Sequence, residues 1–140
     1  MKSRLAIIII FLLMSFISVN AYSYDVIFKI DNKQYFQNID ELNEGAAAFR
    51  KALPLTVVFE NFGQNERIAY LNKKLENFKD NPHCTPVRGD LTYYVPWGNL
   101  AVFVKDFRYS ENLLYITHLN QDLLEAIQKS QKSLVIIEEK

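Results

Sequence analysis

Apolar and polar residues alternate over residues 24–30, placing Val26, Phe28 and Ile30 on one face, the period of a half-buried strand. Asp31-Asn32-Lys33 supplies turn chemistry and residues 34–39 resume the extended pattern, so this segment predicts a β-hairpin. The period then changes. Leu42, Ala46, Phe49 and Leu53 recur at helical spacing behind Asp40, a residue type suited to capping, and Pro54 ends the run. Residues 55–62 predict a strand with Leu55, Val57 and Phe59 on one side, and 66–71 a shorter one. Residues 72–86 are polar, carry Pro82 and Pro86, and predict a long loop with one helical turn over 73–78.

Two richer strands follow, 90–95 and 100–107, joined by Pro96-Trp97-Gly98-Asn99, a sequence built to reverse the chain. Another strand is predicted over 115–119. Asn120 then caps a helix whose buried stripe is Leu123, Leu124 and Ile127, with Leu119 and Leu124 spaced as a hydrophobic staple. Residues 134–137 close the pattern as a last strand. About eight short strands and two helices predict a mainly β domain, a small closed β-barrel with a short helix at each open end, because closure removes unpaired sheet edges.

The chain start has a different character. Lys2 and Arg4 precede an apolar run over 5–19, and Val19-Asn20-Ala21 presents small residues where a signal peptidase reads them. The run falls short of the ~20 residues that span a bilayer comfortably. Residues 1–21 are therefore expected to be a signal peptide cleaved after Ala21, with a second possible cut after Ser23, and residues 22–140 a single exported domain, periplasmic or secreted. Membrane contact is expected only through the signal before cleavage.

Composition sharpens this picture. The full chain has 140 residues with 16 basic and 16 acidic side chains. Loss of Lys2 and Arg4 leaves 14 basic against 16 acidic, a net charge of −2. That balance lacks the basic footprint of a nucleic-acid binder. One cysteine excludes an internal disulfide framework, and two histidines with one cysteine exclude a His- or Cys-rich metal site. No metal and no cofactor is expected.

Several blocks recur in a fixed order: Leu53-Pro54-Leu55-Thr56, Gly63-Gln64-Asn65-Glu66-Arg67, Gly89-Asp90-Leu91-Thr92-Tyr93-Tyr94, Pro96-Trp97-Gly98-Asn99-Leu100-Ala101-Val102-Phe103 and Lys105-Asp106-Phe107-Arg108-Tyr109-Ser110. In these the chain resembles the bacterial cyclophilin-like domain family, over residues 26–137. The resemblance implies a small barrel related in fold to the cyclophilins. The chain departs from the family at Tyr115-Ile116-Thr117-His118, where a Leu-Gly pair is common, and at Arg67, where a lysine is usual. The bulkier 115–118 segment is expected to narrow any cleft beside it. True cyclophilins isomerise X-Pro bonds with an arginine above a proline pocket, and their Phe/Gln segment leading into Gly-Gly-Asp is missing here. The resemblance therefore implies fold and not activity.

The densest aromatic stretch comprises Tyr93, Tyr94, Trp97, Phe103, Phe107 and Tyr109. Tyr93 and Tyr94 must face opposite ways on a strand, so some rings belong to the core. An exposed Trp97 beside a tyrosine would anchor a peptide or small apolar ligand. The candidate ligand-binding residues are Arg67, Tyr94, Trp97, Phe103 and Tyr109. Glu66 and Arg67 admit two readings, as a pocket mouth or as turn chemistry after Gly63. Arg88-Gly89-Asp90 reads as a turn into a strand before it reads as an adhesion tripeptide. His83 and Cys84 are adjacent, and neighbours on extended chain point apart, which leaves a loop histidine and a loose thiol. The expected function is a binding module without chemistry. A weak prolyl isomerase using Arg67 or Arg88, and a structural or assembly partner, are the alternatives; oligomeric state is not legible.

Overall fold

The computed structural model describes residues 22–79 and 82–140; the signal peptide expected over 1–21 lies outside the described residues. The first hairpin forms as its alternation predicts. β1 (Ser23–Ile30) pairs antiparallel with β2 (Lys33–Asp40) through a two-residue turn. Asp31 and Asn32 both adopt positive φ, 49° and 64°, the conformation that a tight hairpin turn of this hand requires and that Asp and Asn tolerate. Val26, Phe28 and Ile30 turn inward and are fully buried.

α1 (Glu44–Ala52) starts later than the spacing predicts. Asn43, not Asp40, is its cap: the Asn43 side chain accepts from the Ala46 amide at 2.7 Å, while Asp40 Oδ1 accepts from the Leu42 amide and holds the turn before the helix. Leu42 consequently falls outside the helix and is exposed. Ala46 and Phe49 remain on the buried face. α1 lies against the strand of residues 113–118 so closely that a Cβ on Gly45 would sit 1.9 Å from the Tyr115 carbonyl oxygen. Only glycine permits that approach.

Residues 55–62 do not make one strand. β3 (Leu55–Val58) and β4 (Glu60–Phe62) are separated at Phe59, and each belongs to a different sheet. β5 (Glu66–Tyr70), β6 (Asp90–Tyr94), β7 (Asn99–Phe103) and β8 (Leu113–His118) follow, then α2 (Gln121–Lys129) and β9 (Leu134–Glu139). β7 stops at Phe103, short of the predicted 107, and the predicted helical turn over 73–78 is not helical. Asn120 caps α2 as its sequence predicts, accepting from the Leu123 amide at 3.0 Å, and the staple residues Leu119 and Leu124 are both buried.

The strands form two antiparallel sheets, ordered β2-β1-β9-β3 and β4-β5-β7-β6-β8. Between them lies the main core, including Phe28, Phe49, Leu91, Tyr93, Leu100 and Ile137. The predicted closed barrel does not form among the described residues. On one side the sheets are joined by continuous chain through Phe59. On the other, β2 and β8 share no backbone ladder among the described residues. Side chains bridge that seam instead. Gln37 Nε2 donates to the His118 carbonyl at 3.2 Å, Asn120 Nδ2 donates to the Phe36 carbonyl at 2.7 Å, and Asn43 Nδ2 donates to the Ile116 carbonyl at 3.1 Å. Carboxamides satisfy strand-edge groups there, so neither edge needs a neighbouring strand.

Arg67 holds the other corner. Its guanidinium is buried on the inner side of β5 and donates to the carbonyls of Ile127 (3.2 Å), Phe59 (3.1 Å) and Ser130, and to Asn61 Oδ1 (2.9 Å). Ile127 and Ser130 belong to the C-terminal end of α2 and its cap, where orphan carbonyls and the helix dipole favour a cation. Burial lowers the Arg67 pKa and nearby Glu60 opposes that shift, yet an arginine stays charged. Arg67→Met should destabilise the domain by about 3 kcal/mol, since several buried carbonyls lose their donor together. Urea unfolding followed by circular dichroism checks this; a loss under about 1 kcal/mol, the range of an exposed residue, would show that the corner is held by packing alone.

Candidate functional site

The second sheet uses both of its faces. Leu91, Tyr93, Leu100 and Val102 point into the main core, and the alternate residues Ile68, Ala101, Phe103 and Leu113 build a second cluster on the outer face. Outer-face apolar residues on an antiparallel sheet need a cover, and the chain supplies one from residues 84–86 and 104–112. Cys84 and Ser110 exchange backbone hydrogen bonds (3.1 and 2.9 Å), the Phe107 amide donates to the Pro86 carbonyl at 2.9 Å, and the Val104 amide donates to the Asn65 carbonyl at 2.8 Å. Phe107 stacks obliquely on Phe103, ring centres 5.6 Å apart.

The cover is incomplete. Between the 107–112 loop and the β6–β7 turn a cavity of about 370 Å³ opens on the outer face. Its floor comes from Glu66, Ile68, Tyr94, Asn99 and Leu113, and its walls from Phe62, Trp97, Phe107, Arg108 and Tyr109, with Ser110 and Asn112 between. The β6–β7 turn sets the first wall. Gly98 takes φ +72° and its amide donates to the Tyr94 carbonyl at 3.0 Å, while the Val95 amide donates to the Asn112 carbonyl at 3.0 Å. This geometry folds Trp97 back over the sheet. Its ring stands edge-on to Phe62 (5.5 Å) and to Tyr94 (5.4 Å), the favoured arrangement for aromatic pairs. Trp97 nonetheless remains 51% exposed.

The five residues singled out from the sequence divide. Tyr94, Trp97 and Tyr109 line the cavity. Phe103 does not: it is 0% exposed and lies beneath Phe107, so it supports the wall and touches nothing outside. Arg67 points to the inner face and clamps α2, as its parity on β5 dictates. Arg88 is also away from the cavity, donating to Gln121 Oε1 at 3.2 Å. The arginine that reaches the cavity is Arg108, whose guanidinium lies over the Phe107 ring at 5.2 Å. The 115–118 segment does not narrow this cleft, because none of its residues lines it.

Polar members of the floor were less visible in sequence. Asn99 closes a turn motif, and turn chemistry masks any other role. Here it is 2% exposed; its Nδ2 donates to the Leu100 carbonyl at 3.1 Å, and its Oδ1 is buried without a hydrogen-bond partner. Glu66 is partly buried, which raises its carboxyl pKa. Strand parity was the signal that could have found it, since Glu66 and Ile68 must share a face opposite Arg67.

The other motifs take structural roles. Asp90 pairs with His118, Oδ1 to Nδ1 at 2.8 Å, and the amide of Val87 donates to Asp90 Oδ2 at 2.9 Å, so Arg88-Gly89-Asp90 is a turn locked onto β8. A Cβ on Gly89 would meet the His118 ring at 2.7 Å. Cys84 is not a loose thiol. It is half-buried against the outer cluster, and burial, with Asp90 adding to it, pushes the thiol up to about 11, away from the reactive thiolates.

These features meet known proteins at the level of fold and family. The solved structure of the hypothetical protein AF2241 from Archaeoglobus fulgidus is similar over 88% of this chain and 99% of that one, with a TM-score of 0.61 at 13% sequence identity. At that identity the likeness speaks for the fold alone. No curated protein sequence matches the chain. The model of the cyclophilin-like family matches residues 28–138, a span that runs from β1 to β9 and takes in the whole cavity. The chain belongs to the cyclophilin-like family.

Proposed function

We propose that the domain is a binding module that holds a short peptide or a small, largely apolar ligand in the outer-face cavity, without chemistry. The observation that carries this is Trp97. A half-exposed tryptophan standing edge-on to two further rings above a buried floor is the composition of a ligand pocket and of a binding hot spot. Nothing in the folding of the sheet requires that exposure. The cavity volume of about 370 Å³ lies in the range of small-molecule sites.

Trp97 is also the sole tryptophan, so its fluorescence reports on this cavity and on no other part of the chain. A screen of short peptides and aromatic fragments should return saturable changes in that emission. Trp97→Phe, followed by calorimetry with the best ligand, should weaken binding by roughly tenfold or more. A screen in which nothing perturbs Trp97 would count against the cavity as a ligand site.

One observation favours the isomerase reading as second: Arg108 lies at the wall of an aromatic cavity, where Arg67 and Arg88 do not. Direct observation of X-Pro isomerisation in peptides separates the two. Acceleration that Arg108→Ala abolishes would establish turnover, and its absence is the expected result.

We also infer that the domain is exported after cleavage behind Ala21. The Tyr22 carbonyl accepts from the Glu41 amide at 2.7 Å, and Ser23 is already in register opposite Asp40. A cut after Ser23 would remove the first residue of β1 and the Tyr22 carbonyl that Glu41 uses, whereas a cut after Ala21 keeps both. N-terminal sequencing of the exported protein should therefore begin at Tyr22; recovery of uncleaved chain in the membrane fraction would refute this.

A further inference from the structure

Resting on the binding reading above, we infer that the ligand is an extended peptide that adds as a strand to the open edge of β4. It sets an apolar side chain against Phe62 and Trp97 at the cavity rim and a basic one against Glu60. β4 ends the order of the second sheet and pairs on one side alone, with β5. Among the described residues its backbone bonds to nothing else. The outward N–H and C=O groups that an antiparallel edge strand presents are therefore unfilled there. The opposite end of this sheet is different, because β8 meets the carboxamides of Gln37 and Asn43 across the seam. Glu60, Asn61 and Phe62 are all exposed, and the strand carries no lysine, proline or bulge, devices that commonly close an edge. Three residues suit a short guest and not a long ladder.

The edge is held in place from the inner side. Arg67 bonds the Phe59 carbonyl just before β4 and the Asn61 side chain within it, at 3.1 and 2.9 Å, so a guest finds the strand already ordered. A cavity of about 270 Å³ opens between β4 and the end of α2, lined by Glu60, Asn61, Gln128, Gln131 and Lys132. Parity then sets the chemistry of the guest. Asn61 turns inward to Arg67, so Glu60 and Phe62 share the outer face with Ile68 and Glu66, their partners on β5. A guest side chain opposite Phe62 lands beside the edge-on Phe62–Trp97 pair at the rim of the main cavity, a place for an aromatic or aliphatic group. Two residues along, the side chain opposite Glu60 meets a carboxylate that lies in the field of Arg67 but forms no salt bridge among the described residues. The residue between them faces the α2 cavity, where Gln128 and Gln131 suit a polar group. The ladder and the aromatic contact carry the affinity; an exposed charge pair adds little to it and serves the choice of partner.

Two blocked pentapeptides of opposite direction test this, acetyl-Thr-Phe-Thr-Lys-Thr-amide and acetyl-Thr-Lys-Thr-Phe-Thr-amide, titrated with Trp97 emission and calorimetry as readouts. The tighter one is then N-methylated at each amide in turn. Methylation at every second amide is expected to weaken binding by roughly tenfold or more, and at the amides between them by less than about twofold. Amide hydrogen exchange followed by NMR should show the outward N–H groups of β4 protected only when the peptide is present. Glu60→Lys, a change at an exposed position, should weaken the peptide by about threefold, and glutamate in place of the peptide's lysine should restore it. A flat methylation scan, unchanged exchange in β4, or indifference to the charge swap would overturn the inference. Protection of β4 without peptide, in a dimer seen by sedimentation, would give the edge to a second copy of the chain and overturn it too. Aromatic fragments that move Trp97 emission while peptides leave β4 unprotected would overturn the added strand and leave the cavity a ligand site. Trp97 emission unmoved by fragments and peptides alike would sink both together.

Discussion

Arg67 sets the terms for both faces of the second sheet. Its guanidinium satisfies the carbonyl end of α2 and the Phe59 corner where the chain passes from one sheet to the other. That bonding fixes which way β5 faces. A one-residue slip would carry the guanidinium to the outer face and bring Glu66 and Ile68 into the core. The slip is prohibitive, because it would bury a carboxylate among apolar residues and leave the α2 carbonyls without donors. The residue that seals the inner corner thereby fixes Glu66 and Ile68 in the cavity floor. Arg67 is a structural partner of the site without contacting it.

The two-sided use of the second sheet explains why the cavity exists. A sheet with one apolar face could leave its outer face to water. Here Ile68, Ala101, Phe103 and Leu113 make the outer face apolar as well, and the 104–112 loop, tied down by Cys84 and Pro86, covers part of it. The uncovered remainder lies where the β6–β7 turn and the loop end, and the aromatic rings of both gather there. Trp97, Phe62 and Tyr109 all remain about half exposed. A cluster of such rings on one rim differs from scattered surface hydrophobes, which are ordinary.

Much of this was legible from residue patterns. The first hairpin, the Asn120 cap with its staple, and the Pro96–Asn99 reversal each rest on local chemistry, and each forms as that chemistry dictates. The failures share a cause. Asp40 and Asn43 are both capping residue types, and the choice between them was made by tertiary contact, since Asn43 also reaches the Ile116 carbonyl on β8. The 55–62 segment is continuous in pattern, yet Phe59 is where it changes sheets, and no local signal distinguishes a bent strand from a straight one. Closure was expected because unpaired edges are costly; Gln37, Asn43 and Asn120 solve that problem with side chains, a solution invisible without long-range pairing. Aromatic density brings Tyr94, Trp97 and Tyr109, which line the cavity, together with Phe103, which lies buried beneath it. Density does not tell an outer-face ring under cover from one at the rim. Parity on β5 turns Arg67 to the inner face, opposite Glu66 and Ile68, and so away from the cavity.

The Pro96-Trp97-Gly98-Asn99 turn shows how one local motif can bind fold and site together. Gly98, by taking positive φ, reverses the chain and aims Trp97 back across the sheet. Asn99 begins β7 in register with Tyr94, on the face that lines the cavity. Wall and floor are therefore consequences of the same backbone reversal that pairs β6 with β7. The archaeal structure shares this fold at 13% identity, and the cavity rim is made by the few side chains that the turn and the 107–112 loop present.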